Sequence, residues 1–365
     1  MNKDSIFNRM LRYRMKGRLQ KDAPLACETT FKIGGPADIL FFPESIAEAV
    51  RVVKLCNREQ IPLTVLGGGA NVLVRDGGVR GIVMKLAGLC EMRRERGRDC
   101  VFAGAGAALA GVSAFAMSES LSGLEFACGI PGSVGGAVYM NAGAYGREMK
   151  DVVRRSVVLE PDGNIGLLDG AGHGFTYRGS AFQKNGCIIL ETEFCLAPSD
   201  KDGIERMMDE YKARREASQP LDMPSAGSVF RRPGAGAGER GQSAGGGERD
   251  TCAVGGERDT CAGGGERDTC AVGGVRRPGE GGGERGLGIG DGTKEVVYVG
   301  PMIEKCGLKG VSIGGAQVSE KHAGFIVNRG GATAADVLAL IDRVRSAVKE
   351  RFGVELATEI RIIGE

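Results

Sequence analysis

The chain is 365 residues long with a formal net charge of +2, no tryptophan and few aromatic residues; that length allows two or three domains with substantial cores. Near-neutral charge leaves no electrostatic footprint for nucleic acid or a membrane surface, and so few aromatics provide no stacking platform for single strands. Eleven cysteines, odd in number and without a C-x-x-C pair, point to a reducing cytoplasm, and with only His173 and His322 at no ligand spacing no metal site is expected.

The opening stretch MNKDSIFNRMLRYRMKGRLQ interleaves apolar residues with Arg and Lys, so residues 1–28 read as a helical segment packed on the body; it is not a secretory signal, and no later run is long enough for a membrane span. Ala37 to Phe42 reads as a buried strand. Ser45, with Glu48 three residues on, predicts a capping box that opens a helix, and Ala49, Val52, Val53 and Cys56 give that helix one apolar face. Strands follow at Leu63 to Leu66, Val72 to Val74 and Ile82 to Leu86, divided by glycine turns. The segment VFAGAGAALAGV offers Gly104 and Gly106 of a dinucleotide fingerprint, but the third position is Leu109 and the motif is broken. It reads instead as a strand followed by a helix from Ala107 to Ser120. Strands near Val152 to Leu159 and Ile188 to Phe194 complete an α+β domain.

Lys201 to Gln219 is helical, highly charged and stopped by Pro220, a surface helix leading into a second domain. From Pro233 to about Val296 the composition changes: GGERDTCAV or GGERDTCAG occurs three times in succession, from Gly246, Gly255 and Gly264. A stacked solenoid lacks the apolar positions it would bury, and Cys252, Cys261 and Cys270 make at best a weak thiol site. A disordered insert over 234–295 is the expectation. Beyond it, Thr333 caps a final helix with Asp336 facing the dipole; Val337, Leu340, Ile341, Val344 and Val348 form its buried stripe, Gly353 ends it, and Glu355 to Ile363 reads as the last strand.

Two loops carry the chemistry. Gly67, Gly68, Gly69, Ala70 and Asn71 follow an apolar strand, and GLEFACGIPGSVGGAVYMNAGAYG, from Gly123 to Gly146, is dense in glycine with Glu125 as its one acid. Glycine leaves backbone N–H groups open to a ligand, and successive N–H groups in turns cradle anions. A dinucleotide gripped from two sides is the natural guest of the pair; each loop alone reads better as a tight turn. The blocks LGGGANVLV, GLEFACGIPGSVGGAVYMNAGAYG, TYRGSAF, PSAGSVF, IGGAQVSEKHAGFIVN and ATEIRIIG, in this order, resemble the UDP-N-acetylenolpyruvoylglucosamine reductase (MurB) family, in its shorter subtype, from about Thr29 onward except for the insert.

The resemblance implies an α+β fold: an FAD-binding domain in two parts, of the PCMH/vanillyl-alcohol-oxidase type, over 29–200, and a C-terminal α+β substrate-binding domain over 201–365. It implies a monomer that uses NADPH and FAD to reduce UDP-N-acetylglucosamine enolpyruvate to UDP-N-acetylmuramate, a step of peptidoglycan precursor synthesis. FAD would lie on Gly67, Gly68, Gly69, Ala70 and Asn71 and on Gly129, Ile130, Pro131, Gly132, Ser133, Gly135 and Gly136, with Ala142 and Gly143 lining the same cleft. Arg178 and Glu359 would stabilise an enolate-like intermediate and Ser228 would protonate it. Tyr145, Arg231, Gln317, Lys321 and Asn328 are weaker candidates for substrate contacts. Where many members have Lys-Asn-Pro, this chain has Arg231, Arg232 and Pro233, so an asparagine amide is exchanged for a guanidinium able to meet a diphosphate. Two alternatives stay open: a related FAD oxidoreductase acting on another small substrate, and an inactive scaffold carrying the repeat as an interaction arm.

Overall fold

In the computed structural model, which describes residues 2–95, 97–233 and 298–365, helix α1 (Lys3–Arg12) opens the chain, its first turn capped by the Asn2 side chain. Ile6 and Met10, four apart and so on one face, are buried against the core. The helical reading of residues 1–28 stops there, because β1 (Arg18–Pro24) is a strand paired antiparallel with β2 (Pro36–Phe42). Its sequence RLQKDAP buries only Ala23; an edge strand held by backbone bonds leaves no apolar alternation to read. Helix α2 (Ile46–Glu59) buries Ala49, Val52, Val53 and Cys56, as its spacing requires. Ser45 accepts from Glu48 N, but the return bond of the expected capping box is absent: the buried Glu48 carboxylate accepts instead from the backbone N–H groups of Glu44, Lys16 and Gly17. The helix acid is thus used to pin the turn between α1 and β1.

Strands β3 (Leu63–Leu66), β4 (Val72–Val74) and β5 (Val79–Lys85) follow. The first sheet has the order β1-β2-β5-β3, with β5 parallel to both β2 and β3. A second, antiparallel sheet is built from β6 (Met92–Arg94), β7 (Cys100–Gly104), β8 (Val153–Leu159), β9 (Ile165–Asp169) and β10 (Ile188–Cys195), in the order β9-β8-β10-β7-β6. Helices α3 (Leu109–Ser118) and α4 (Val134–Tyr139) lie between β7 and β8 in the chain. One apolar core runs from Ile39, Phe41 and Ile82 through Val101, Phe126 and Val134 to Phe194. The charged helix α5 (Lys201–Ser218) buries Ile204 and Met208 beside Cys128, so it packs on the N-terminal half.

The C-terminal half is a sheet of β11 (Ser225–Ser228), β12 (Ala316–Val318), β13 (Phe325–Asn328) and the short Ser312–Ile313 strand, with helices α6 (Val299–Lys305) and α7 (Ala334–Phe352). Thr333 and Asp336 form a complete capping box, the five predicted apolar residues of α7 are buried, and Gly353 ends it with φ +68. The last strand is shorter than expected, β14 (Arg361–Ile363), and pairs parallel with β4. Residues before it reach back to β11 through the Phe230–Thr358 bridge. Phe31, Ile33 and Leu73 join this second core beside Phe230, Ile303 and Leu340, so the N-terminal half supplies part of the C-terminal packing. Among the described residues no helix is long and apolar enough to cross a membrane. The repeats, with the loop, solenoid and thiol-site readings attached to them, lie outside the described residues.

Candidate active site

A cavity of about 1670 Å³ is walled by the 67–71 and 130–136 loops, by β11 and by the stretch leading into β14. Ligand pockets commonly run to about 300–1,000 Å³, so this one has room for a dinucleotide and a second molecule. The two loops touch backbone to backbone. A Cβ on Gly68 would lie 2.6 Å from Cα of Gly132, and one on Gly67 would lie 2.7 Å from Ser133 Oγ. Gly132 itself sits at φ +115, which disfavours any side chain. Ser133 Oγ accepts from Gly68 N at 3.2 Å and makes no bond to its own helix α4. Glycine is therefore required here first by loop-to-loop contact. Gly68→Ala is expected to push the loops apart, costing about 1–3 kcal/mol as an overpacked site does and weakening flavin retention; thermal unfolding and bound-flavin absorbance would both register it.

With the loops so joined, the backbone N–H groups of Gly69, Ala70, Asn71, Gly132, Ser133 and Gly136 donate to no acceptor among the described residues. A Cβ added to Gly136 would meet only Ser133 Oγ, at 3.7 Å, leaving a cradle open toward the cavity. Converging unpaired N–H groups at the start of a helix suit a diphosphate. The donor set thus fits the pyrophosphate of a flavin dinucleotide. Ile130, Pro131, Gly135, Ala142 and Gly143 also line the cavity, whereas Gly129 stands behind it, packed on Arg215.

Arg178, Ser228 and Glu359 come from three distant segments and all line this cavity. Arg178 occupies the third place of the turn Thr176–Gly179, at φ +54. That conformation favours glycine, so an arginine is held there against its backbone preference. Its Nε donates to Glu359 Oε1 at 2.8 Å and its Nη2 to Gly143 O at 3.3 Å. Burial pushes the Glu359 carboxyl above its usual range, and the Arg178 guanidinium, with Arg231 and Arg232 further off, pulls back. Glu359 is positioned by its own N–H on Val229 O at 2.7 Å and by Asn71 Nδ2 on its carbonyl at 3.2 Å. Ser228 precedes Val229, after Gly227 at φ +76 and a register irregularity in β11. A bulge of this kind re-aims a side chain, and Ser228 is exposed toward the cavity.

The weaker candidates are placed elsewhere. Tyr145 stacks on Tyr211 at 3.9 Å between centroids and donates its hydroxyl to Tyr211 O. Buried Gln317 donates to Gly310 O, and Lys321 donates to Glu216 O. Asn328 donates to Phe31 O at 3.1 Å and accepts from Gly330 and Ala332, which ties two segments of the second core. Arg231 has its Nε buried without a partner, while Arg232 lies on the cavity wall with its guanidinium 5.0 Å from the Tyr298 ring centroid. Two arginines that sequence reasoning missed also face the cavity. Arg361 stacks over the Tyr139 ring at 4.9 Å, and Arg215 has a buried, unpartnered Nε; burial depresses both guanidiniums. Arg361 was findable, since it follows Glu359 by two residues in a stretch that reads as one strand, where alternate residues share a face. Arg215 sits among charged neighbours of an exposed-looking helix, and nothing in its spacing marks it.

Residues 219–363 match the family described as UDP-N-acetylenolpyruvoylglucosamine reductase, C-terminal domain, and residues 37–169 match the FAD binding domain family. A UDP-N-acetylenolpyruvoylglucosamine reductase from Clostridium botulinum is 41% identical over 94% of this chain and 92% of its own. One from Oceanobacillus iheyensis is 38% identical over 99% and 97%. The crystal structure of the Thermus caldophilus enzyme superposes with a TM-score of 0.67 at 31% identity, covering 96% of this chain and all of that one. With this coverage, and with two glycine loops and a half-buried Arg–Glu pair around one cavity, the chain belongs to the UDP-N-acetylenolpyruvoylglucosamine reductase family.

Proposed function

We propose that Arg178, Glu359 and Ser228 perform the chemistry of this reductase and that the two glycine loops hold its cofactor. The enzyme reduces UDP-N-acetylglucosamine enolpyruvate to UDP-N-acetylmuramate for peptidoglycan synthesis, with FAD and NADPH. When bound, FAD would supply the chemistry of hydride transfer between NADPH and the enolpyruvyl double bond. The unpaired N–H groups of Gly69, Ala70, Asn71, Gly132, Ser133 and Gly136 would cradle its diphosphate. Arg178 meets the substrate carboxylate and the negative charge that grows beside it, while Glu359, its proton favoured by burial, donates a hydrogen bond to the same charge. The Ser228 hydroxyl delivers the proton to carbon; as a weak acid it depends on close placement against a strongly basic intermediate. The described cysteines are free thiols, as suits a reducing compartment, and we place the reaction in the cytoplasm.

The observation that carries this reading is the convergence of Arg178, Ser228 and Glu359 on the cavity whose other wall offers unpaired N–H groups. Purified protein should be yellow and should bleach when mixed anaerobically with NADPH. Colour should then return on addition of the enolpyruvyl sugar nucleotide and not with UDP-N-acetylglucosamine. Bleaching without that selective recovery would overturn the substrate assignment.

A further inference from the structure

Strands β7 and β10 run antiparallel with Cys100 directly opposite Cys195. Leu196 N donates to Asp99 O at 2.9 Å, and Ala105 N donates to Leu190 O at 2.8 Å. Hydrogen-bonded and non-hydrogen-bonded pairs alternate along such a ladder. Counting inward from either bond puts Cys100 and Cys195 at a non-hydrogen-bonded pair. There facing Cα atoms approach to about 4.5 Å and both side chains leave the same face, inside the Cα range of about 4.4–6.8 Å that a disulfide spans. Both are free thiols; Cys195 is exposed and Cys100 buried. Burial and the neighbouring Glu193 carboxylate keep the Cys100 sulfur protonated, with the Arg154 guanidinium opposing them. Cys100 is thus shielded from solvent but faces one accessible sulfur.

We propose that Cys100 and Cys195 form a reversible oxidation site that closes to a cross-strand disulfide when the exposed thiol meets a peroxide. The Cys195 thiolate attacks the O–O bond, keeps one oxygen as a sulfenic acid and releases the other as water. Cys100 sulfur then attacks the Cys195 sulfur, its proton leaves with the hydroxyl as a second water, and the S–S bond forms. Two thiols and one hydrogen peroxide become one disulfide and two waters, with the sulfurs losing the two electrons that the peroxide gains. A disulfide with one exposed sulfur is open to attack by a thiol and so to reduction again. Neither cysteine lines the cavity, so the inference stands apart from the proposed chemistry.

The test uses the full-length flavin-loaded chain, treated with hydrogen peroxide, alkylated, digested and mapped by tandem mass spectrometry. Fragmentation must separate Cys195 from Cys187 and Cys100 from Cys128, since no lysine or arginine divides either pair. The expected result is a Cys100–Cys195 cross-link that dithiothreitol reverses and that leaves the flavin spectrum unchanged. Cys195→Ser, at an exposed position that tolerates the change, should abolish the link and leave Cys100 a free thiol in the native protein. Cys195 carried to a sulfenic or sulfinic acid beside an unmodified Cys100 would overturn the proposal. So would peroxide-induced links confined to other cysteines.

Discussion

Ser228→Ala should bleach with NADPH at the wild-type rate and regain colour on addition of the enolpyruvyl sugar nucleotide about 10²- to 10⁴-fold more slowly, the range a positioned proton donor contributes. The asymmetry follows from where the hydroxyl sits. Ser228 lies on β11, opposite Phe325 and one residue before the Val229 carbonyl that fixes Glu359, while the N–H donors of the glycine loops belong to the other wall. Removing one oxygen from β11 disturbs no hydrogen bond of those loops, so cofactor binding and its reduction should be spared. Stopped-flow absorbance separates the two half-reactions. Equal slowing of both would mean that Ser228 supports the site rather than supplying a proton.

Arg178→Ala should cost about 10²- to 10³-fold in kcat/KM for the sugar nucleotide, as loss of one preorganised donor does, together with about 2–3 kcal/mol of stability from the charge-assisted bond. The stability loss should depend on pH. Glu359 already holds its proton above the ordinary carboxyl range through burial, and without the guanidinium that shift grows. A carboxyl with a raised folded pKa binds more protons in the folded state than in the unfolded one. Its contribution is complete below the unfolded pKa and fades as pH rises through the folded one. Denaturant unfolding at a series of pH values should therefore find Arg178→Ala closer to wild type near pH 4 than near pH 8. A pH-independent difference would show that Arg178 does not control the Glu359 proton.

Where local signals and burial agreed, the sequence was legible. The α7 stripe, its Thr333–Asp336 cap and strand β4 follow from periodicity and capping chemistry, which act over a few residues. Glu48 shows the limit: its spacing from Ser45 is that of a helix cap, yet its carboxylate serves backbone groups some thirty positions upstream, Lys16 and Gly17. Strand β1 escaped because an edge strand gains its energy from backbone bonds that carry no sequence pattern. At the site, Arg178, Ser228 and Glu359 were ordinary residues until motif order set them together, and the cavity now collects them. Asn328, Gln317 and Tyr145 looked equally suited to a ligand, but each spends its polar atoms on the chain's own backbone. Polar residue type marks the need for a partner; only the fold says whether that partner is internal.

The Arg178–Glu359 bond joins residues 181 positions apart, and β4 waits for β14 across a still wider gap, with Val72 opposite Arg361. During vectorial synthesis the glycine loops and the guanidinium leave the ribosome long before their acid does. On the proposed chemistry, a nascent chain can therefore shape half of the cofactor cradle yet would not turn over, and competence would wait until translation has passed Glu359.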